Sequence, residues 1–145
     1  SSFRPFDLSS FRPFAINKYK MKMGSKLEIN INKNEIKMKG NETFKIAVRF
    51  MVNAAKEAIS YNGYTIEDVN LIIPHQANKR IIDAVAKKLS LPKEKVFVNL
   101  MKYGNTSAAS IPLALDEAVR EKQIKKNDII FITYFCNFIK IAWIS

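Results

Sequence analysis

The sequence is poor in the residues that build covalent cross-links and metal sites. It contains a single cysteine, Cys136, and a single histidine, His75. One cysteine excludes a disulfide within the chain and a cysteine-based zinc site, and it fits a reducing compartment. One histidine leaves too few ligands for a dedicated transition-metal site. No apolar run reaches the roughly 18–20 residues that a membrane-spanning helix needs, so we expect neither a metal cofactor nor a membrane span.

Acidic residues are also scarce relative to basic ones. The 13 Asp and Glu residues stand against 24 Lys and Arg residues, which gives a net charge of +11. This excess favours an acidic partner, which from charge alone is equally a nucleic acid, an anionic membrane surface, a polyphosphate ligand or an acidic protein. Hydrophobic residues make up 48% and charged residues 26% of the 145. Because these values are close to those of ordinary globular domains, we expect one folded domain with a tail.

The positive charge is concentrated in the first 40 residues. This quarter carries nine basic and three acidic side chains, a net charge of +6. It also contains a short repeat, SSFRPF, at residues 1–6 and 9–14, which is too short for a solenoid unit. We interpret residues 1–25 as a poorly ordered basic extension and residues 26–145 as the folded domain. The composition is compatible both with an organelle transit sequence and with a cloning remnant.

From residue 26 onward, hydrophobic periodicity predicts strands and helices in alternation. Leu27, Ile29 and Ile31 alternate with polar residues, as do Ile36 and Met38, which predicts a hairpin that turns at residues 32–34. The other predicted elements are a five-turn helix ending near Gly63, strands at 69–73, 96–99, 128–135 and 139–144, and helices at 78–89 and 107–122. This order predicts an α/β fold with parallel pairing around the helices and a final hairpin. The apolar strands predict a sheet covered on both faces, and the small number of helices points to a missing half.

Two polar segments follow predicted strands, at the sheet edge where open α/β folds place their sites. They are PHQANKRI at residues 74–81 and YGNTSAAS at residues 103–110. A lone histidine such as His75 is more often a structural residue than a catalytic one. Asn105 after Gly104 is equally compatible with turn and cap chemistry. The residues alone therefore leave both alternatives open.

Read together, the two segments resemble a known enzyme family. HQANKRII at residues 75–82 and GNTSAASIP at residues 104–112 are similar to the C-terminal half of β-ketoacyl-acyl-carrier-protein synthase III, a thiolase-fold condensing enzyme that starts fatty-acid synthesis. The resemblance covers about residues 38–135. It implies a thiolase-like C-terminal half with a mixed sheet and covering helices. It also implies an acyltransferase without a cofactor, dimeric when complete, in a bacterial-type cytosol or a plastid-like organelle.

The resemblance implies a role for the two motif residues His75 and Asn105. Family members load an acetyl group from acetyl-CoA onto a cysteine, then decarboxylate malonyl-acyl-carrier protein and join the two fragments. Loss of carbon dioxide leaves an enolate, which needs hydrogen-bond donors aimed at the thioester oxygen. His75 and Asn105 match the histidine and asparagine that donate there. Asn78 is implied to order the histidine loop through hydrogen bonds.

A basic patch is implied by the same resemblance. Arg80 matches a basic residue near the tunnel entrance that meets the acidic acyl-carrier protein or the phosphates of the coenzyme. Lys87 and Lys88 lie further along the same predicted helix and extend this patch. An ordinary solvated helix face is an equally good explanation for the two lysines, because exposed lysine is commonplace.

Two departures from the family concern the nucleophile and the last turn. The nucleophilic cysteine of the family belongs to an N-terminal half that this sequence does not include, and Cys136 does not match it. At the end of an apolar strand, Cys136 is expected to be a buried structural thiol. The family has a glycine-rich turn, then Trp and Gly, where this chain has FCNFIKIAW at residues 135–143. Bulky residues thus stand where backbone approaches the active site in the family.

Three functional hypotheses follow. In the first, the chain is the C-terminal catalytic domain of a condensing enzyme, with an N-terminal thiolase-like half as partner. In the second, it is a catalytically silent module that binds acyl-carrier protein or a synthase partner through Arg80, Lys87 and Lys88. In the third, the basic tail binds nucleic acid. The tail has no interleaved base-reading motif, so we expect no nucleic-acid partner.

Overall fold

The computed structural model describes residues 11–17, 27–30, 35–38, 40–133 and 139–144. The strands are β1 Phe11–Asn17, β2 Leu27–Asn30, β3 Glu35–Met38, β4 Leu71–Pro74, β5 Ile129–Thr133 and β6 Ile139–Ile144. The helices are α1 Gly40–Tyr61, α2 Lys79–Lys88, α3 Leu100–Tyr103 and α4 Ser110–Arg120. Two single turns of 3-10 helix occur at Lys93–Lys95 and Ser107–Ala109.

The main sheet is mixed and has four strands, in the order β1-β6-β5-β4. β4 and β5 pair in parallel, and β6 pairs antiparallel with both β5 and β1. β2 and β3 form a separate antiparallel hairpin. Parallel strands need a long crossover connection, which α2, α3 and α4 provide between β4 and β5. The predicted α/β layout, the mixed sheet and the hairpin at residues 27–38 are therefore confirmed.

Helices cover both faces of the β4–β5 pair. Ile72 and Phe131, which are register partners, pack on one face against α1 and α2. Ile73 and Ile130 belong to the opposite face and pack with Ala114 of α4. Successive residues of each strand alternate between the two clusters because side chains of a strand point to opposite faces in turn. The two-sided cover that the apolar strands predict is confirmed here.

The first helix ends as its sequence predicts. α1 finishes at Tyr61, and Gly63 follows with φ +75°, the left-handed conformation that glycine adopts without a steric cost. The amide of Gly63 donates to the carbonyl of Ser60 (3.0 Å), and that of Tyr64 donates to Ile59 (3.1 Å). These bonds satisfy the last carbonyls of the helix and turn the chain towards β4.

The predicted strand at residues 96–99 is wrong. Only Val96 forms a bridge, parallel to Ile72, and the amide of Phe97 donates to the carbonyl of Ile72 (2.9 Å). Beyond Phe97 the backbone leaves the sheet, because the amides of Asn99 and Leu100 donate to the side chain of Gln76 instead of to a strand. A side-chain acceptor distant in the sequence thus ends this strand after one bridge.

The predicted helix at residues 107–122 is divided in the structure. Its first turn, Ser107–Ala109, is a 3-10 helix, and α4 begins only at Ser110. Pro112 therefore lies in the first turn of α4, where its missing amide hydrogen breaks no helical bond. The boundary falls at Ser110 itself, which belongs to the candidate site.

β1 lies within the predicted N-terminal extension. Phe11–Asn17 pairs with β6 at the edge of the sheet, with Pro13 opposite Ala142. Proline is tolerated on an edge strand, where its missing amide hydrogen costs no ladder bond. The interpretation of residues 1–25 as a poorly ordered extension stays a prediction. Residues 1–10 and 18–25 lie outside the described residues, and the domain boundary at residue 26 stays a prediction.

Candidate active site

His75 directly follows β4, at the carboxyl end of the parallel strand pair. Its backbone amide donates to the carbonyl of Thr133 at 2.7 Å and extends the β4–β5 ladder by one residue. The side chain is half-buried, and Nδ1 lies 2.6 Å from the hydroxyl Oγ of Ser110. The histidine is thus held from both sides, by the sheet through its backbone and by the start of α4 through its ring.

Burial lowers the pKa of His75 below its ordinary value. Desolvation disfavours the imidazolium form, so the ring is neutral at neutral pH. A neutral imidazole has one N–H donor and one acceptor nitrogen. The neutral ring therefore still has one N–H group that can donate a hydrogen bond to a developing oxyanion.

The lowered pKa of His75 predicts a pH-dependent stability. The unfolded chain has the ordinary histidine pKa of about 6.5 and takes up a proton before the folded chain does. We expect the wild-type chain to lose stability, relative to His75→Gln, as the pH falls through about 6.5 and towards the folded pKa. Above about 6.5 both states are neutral at this position, so the difference between the two chains should no longer vary with pH.

Denaturant unfolding of both chains across this pH range measures the effect. Parallel curves for the two chains between neutral and mildly acidic pH would contradict it. The carboxylates of Asp68 and Glu117, whose pKa values are also lowered, respond in both chains alike and only at lower pH.

Gln76 ties the histidine loop to the segment that leads to Asn105. Its carboxamide is 1% exposed, and its Nε2 donates to the carbonyls of Pro74 (2.7 Å) and Phe97 (3.2 Å). Its Oε1 accepts from the amides of Asn99 (3.0 Å) and Leu100 (3.2 Å). Both donors and both lone pairs of the amide are used, so the side chain fixes the distance between two loops that are remote in the sequence.

Asn105 lies in the loop between α3 and the 3-10 turn at Ser107–Ala109. Gly104 begins this loop with φ +71°, which glycine adopts more readily than other residues. The side chain of Asn105 is exposed, and its Oδ1 accepts from the amide of Ser107 at 3.0 Å. Because the oxygen is engaged in this way, the amide group presents its N–H donors to the surroundings.

A buried carboxylate braces the same loop from behind. Glu117 of α4 is 8% exposed, and its Oε2 accepts from Asn99 Nδ2 at 2.8 Å. Its other oxygen forms an ion pair with Lys102 of α3. The hydrogen bond from Lys102, and then that from Asn99, lowers the pKa of Glu117, while the bond to Glu117 raises the pKa of Lys102. α3, which directly precedes Gly104, is thereby fixed to α4.

The sequence pattern does not reveal the residues that hold this site together. Gln76 and Ser110 lie inside the two motifs, but their partners are distant in the sequence, which hides their contacts. Glu117 shares a helix with Ala114 and Ala118, both fully buried. A charged residue at i+3 from one buried alanine and next to another is the signal that could have found it, since a buried carboxylate requires a partner.

Asn78 is the N-cap of α2. Its extended backbone precedes the helix, and its Oδ1 accepts from the amide of Arg80 at 2.9 Å. The side chain therefore accepts from one of the amides at the start of the helix that have no helical partner, as asparagine does at this position. Its bond is to Arg80 instead of to the histidine loop. The predicted contact of Asn78 with substrate or carrier protein stays a prediction.

The predicted basic patch occupies the length of α2. Arg80 is exposed at the first turn, with its guanidinium carbon 5.5 Å from the ring centroid of Phe44. Lys87 and Lys88 are exposed in the last turn. At 1.5 Å per residue, Lys87 lies about 10 Å from Arg80 along the helix and, seven residues on, shares its face. The structure thus places Arg80 and Lys87 on one stripe, about two turns apart.

Other kinds of site find no support in the part of the chain that the structure describes. No group of three or more His, Cys, Asp or Glu side chains could hold a metal ion among these residues. No helix among them is both long and apolar enough to cross a membrane. Residues 134–138, which include Cys136 and the first part of the segment that departs from the family, lie outside the described residues.

Comparison with protein families finds one matching model. The model of the 3-oxoacyl-[acyl-carrier-protein (ACP)] synthase III C terminal matches residues 59–136. A β-ketoacyl-[acyl-carrier-protein] synthase III of Aquifex aeolicus is 58% identical over 98 residues, which are 68% of this chain and 32% of that protein. The enzyme of the same name from Caldanaerobacter subterraneus is 53% identical over 104 residues, 72% of this chain and 31% of that protein.

Solved structures agree with the sequence matches. The crystal structure of 3-oxoacyl-[acyl-carrier-protein] synthase III from Aquifex aeolicus superposes with a TM-score of 0.78 at 45% identity, over 92% of this chain and 44% of that one. The synthase III of Thermus thermophilus gives a TM-score of 0.76 at 40% identity, over 93% of this chain and 46% of that one. The chain therefore spans about a third of the length of the curated relatives it matches, and less than half of these two solved chains.

Proposed function

The chain belongs to the β-ketoacyl-[acyl-carrier-protein] synthase III family, as its C-terminal part, and on this premise we propose that it supplies His75 and Asn105 to a fatty-acid-initiating condensation. The family and the thiolase-like fold that the two motifs predict are confirmed. The proposed reaction begins with transfer of an acetyl group from acetyl-CoA to the cysteine of the N-terminal half, which releases coenzyme A. Malonyl-acyl-carrier protein then loses carbon dioxide, and the resulting carbanion attacks the acetyl thioester and expels the cysteine thiolate.

The chemistry requires donors for a developing negative charge. When the malonyl thioester loses carbon dioxide, the electron pair of the broken C–C bond moves towards the thioester carbonyl and forms an enolate. The ring N–H of neutral His75 and the amide N–H of Asn105 are proposed to donate to that oxygen. By analogy with other oxyanion sites, one such donor lowers the barrier by about 2.7–4 kcal/mol. No metal or organic cofactor enters these steps.

The observation that carries the proposal is the link between the two motifs. His75 Nδ1 lies 2.6 Å from Ser110 Oγ, and Ser110 is five residues beyond Asn105 in the second motif. Gln76 of the histidine loop accepts from the amide of Asn99, and Glu117 accepts from the side chain of Asn99, in the segment that leads to the second motif. Donors for a transition state are effective when their geometry is set before the reaction, and these bonds hold the two loops in a fixed relation.

The nucleophile is proposed to belong to an N-terminal thiolase-like half, the part of the family enzymes that this sequence does not cover. The surface around α3 and α4 supports such a partner, since it exposes Met101 (87%), Tyr103 (41%) and Leu113 (36%). These are three of the four large hydrophobic residues exposed among the described residues. Contiguous exposed apolar surface is typical of interaction sites, and we propose that these residues face the partner half. The complete assembly is proposed to be a homodimer.

The carrier protein is proposed to approach along α2. Arg80 and Lys87 share a face of this helix and Lys88 lies beside them. The one acidic residue of the helix, Asp83, is paired with Lys79, so an acidic partner would meet two or three cations here. The guanidinium of Arg80 lies over the ring of Phe44. A guanidinium that stacks on an aromatic ring keeps the N–H donors at its edge available for a phosphate or carboxylate. Electrostatic contacts of this kind weaken as salt increases.

Reconstitution with an N-terminal half tests the proposal. The chain is mixed, or coexpressed, with the N-terminal part of the Aquifex aeolicus relative, and condensation of acetyl-CoA with malonyl-acyl-carrier protein is measured. We expect turnover from the mixture and none from either part alone, because the nucleophile and the donor pair then lie on different chains. Salt-sensitive binding of acyl-carrier protein to the chain should weaken when Arg80 and Lys87 are replaced by glutamate.

The outcomes separate this proposal from the binding-module hypothesis. Turnover by the chain alone would contradict the dependence on a second half. Binding of acyl-carrier protein without turnover, in a mixture that forms a stable complex, would favour the catalytically silent module. Unchanged binding after both charge reversals would place the carrier-protein contact elsewhere.

A further inference from the structure

We infer that Ser110 is a positioning residue that fixes the tautomer of His75, placing the single ring proton of the neutral imidazole on Nε2. This deepens the proposed function and takes its catalytic meaning from it. A neutral histidine can donate from only one nitrogen, and the nitrogen that donates is decided by what the other one accepts. Ser110 lies in the second motif, in which the sequence indicates a role for Asn105 but none for Ser110.

The Ser110 hydroxyl is buried between two groups of the first motif. The residue is 2% exposed, and its Oγ lies 2.6 Å from His75 Nδ1 and 3.3 Å from the backbone nitrogen of Gln76. Within the part of the chain that the structure describes, these are the hydrogen-bond partners of the hydroxyl. Both partners belong to the loop that follows β4, so one hydroxyl serves two consecutive residues.

The proton count follows from the chemistry of each group. The amide of Gln76 can only donate, so the Ser110 oxygen accepts there. The hydroxyl proton then needs an acceptor, and the adjacent Nδ1 supplies one if it carries no proton. If Nδ1 were protonated, both neighbours would donate to Ser110 and its own proton would be buried without a partner, which is a costly arrangement. The accepting form of Nδ1 therefore satisfies every group, and the ring proton lies on Nε2.

The surrounding structure prevents the alternative arrangement. Ser110 is the first residue of α4, so its backbone is fixed by a helix that packs on the sheet through Ala114 and Ala118. The direction of the Gln76 amide is fixed as well, because the Gln76 side chain makes four hydrogen bonds to the neighbouring backbone. His75 itself is held by the bond of its amide to Thr133 (2.7 Å). The three groups thus meet in a fixed geometry.

The inferred tautomer determines which ring nitrogen of His75 donates and which accepts. With Nδ1 accepting from Ser110, the donor of the ring is Nε2–H, on the opposite side of the imidazole from α4. Loss of the hydroxyl would allow both neutral tautomers, and only one of them could donate from Nε2. Ser110 acts in this way through His75, without contact with the reacting atoms.

Because the sequence contains a single histidine, every imidazole nitrogen signal belongs to His75. The full chain is prepared with 15N-labelled histidine, and long-range 1H–15N spectra are recorded at about pH 8, above the ordinary histidine pKa of about 6.5. Protonated and unprotonated nitrogens of a neutral imidazole have separate 15N shifts. We expect the wild-type chain to show the Nε2–H form alone, and Ser110→Ala to show shifts moved towards those of a mixture of both tautomers.

Two further variants serve as controls. Ser110→Thr keeps a hydroxyl on the same carbon and should retain the wild-type shifts, while Ser60→Ala removes an exposed hydroxyl of α1 and should change nothing. An Nδ1–H form in the wild-type chain would overturn the inference even if Ser110→Ala did not fold, and so would unchanged shifts in a folded Ser110→Ala. Because the spectra need no substrate, a failed condensation assay would leave this result intact, and an overturned tautomer would leave the assay to decide the proposed function.

Discussion

Replacing His75 or Asn105 with alanine is expected to lower turnover of the reconstituted enzyme by about 100- to 1,000-fold, the loss typical when one oxyanion donor is removed. Each substitution removes a donor to the enolate oxygen, and the effect should appear in the decarboxylation of malonyl-acyl-carrier protein as well as in the overall condensation. The double variant should lose less than the product of the two single losses, because the donors act on one oxygen as a unit.

The controls for this prediction distinguish donation from folding. Asn105→Asp keeps the size of the side chain but offers no N–H donor, so it should be as impaired as Asn105→Ala. Asn53→Ala removes an exposed asparagine of α1 and should leave turnover unchanged. An Asn105→Asp variant with near wild-type decarboxylation would show that Asn105 does not act as a donor.

Replacing Phe131 with alanine is expected to lower the free energy of unfolding by about 3–5 kcal/mol, as is usual for a buried aromatic residue. Phe131 is fully buried in β5, a central strand of the sheet, and packs with the cluster formed by α1 and α2. Its removal leaves a cavity at the junction of the sheet with both helices. A loss of this size is a large fraction of the roughly 5–15 kcal/mol that stabilises a typical domain.

Chemical denaturation of the full chain measures this loss. Tyr61→Ala is the matched control, since it also truncates an aromatic residue, but one that is 74% exposed; it should change stability by no more than about 0.5 kcal/mol. If Phe131→Ala does not fold, Phe131→Leu, with a smaller cavity, should show a smaller loss in the same direction. Equal effects of Phe131→Ala and Tyr61→Ala would contradict the role of Phe131 in the core.

Several local features could be predicted because short-range chemistry decides them. The hairpin at β2 and β3 follows from alternation of apolar and polar residues, and the end of α1 follows from Gly63. The helix predicted to begin at Asn78 begins one residue later, with Asn78 as its cap. The strand predicted at residues 96–99 is wrong because the amides of Asn99 and Leu100 donate to the side chain of Gln76, a partner that lies more than twenty residues earlier in the sequence.

The candidate site also combines residues that the sequence indicates with residues that only the structure reveals. His75 and Asn105 could be selected from the sequence because each lies in a motif and each has a side chain able to donate. Gln76 and Ser110 could not, since their importance depends on contacts between loops and helices that are distant along the chain. β1 escaped prediction for a related reason, as an edge strand receives its hydrogen bonds from whichever strand the fold brings beside it.

The sequence by itself determined the family, the α/β class, the pair of motifs and the absence from the chain of a cysteine that matches the family nucleophile, because these depend on residue identity and spacing. The tertiary structure alone decided which groups meet: His75 with Ser110, Gln76 with the segment before Asn105, and Glu117 with Asn99 and Lys102. The physical reason is that a buried polar group must find a partner wherever the packed chain provides one. Spacing along the sequence does not specify that partner.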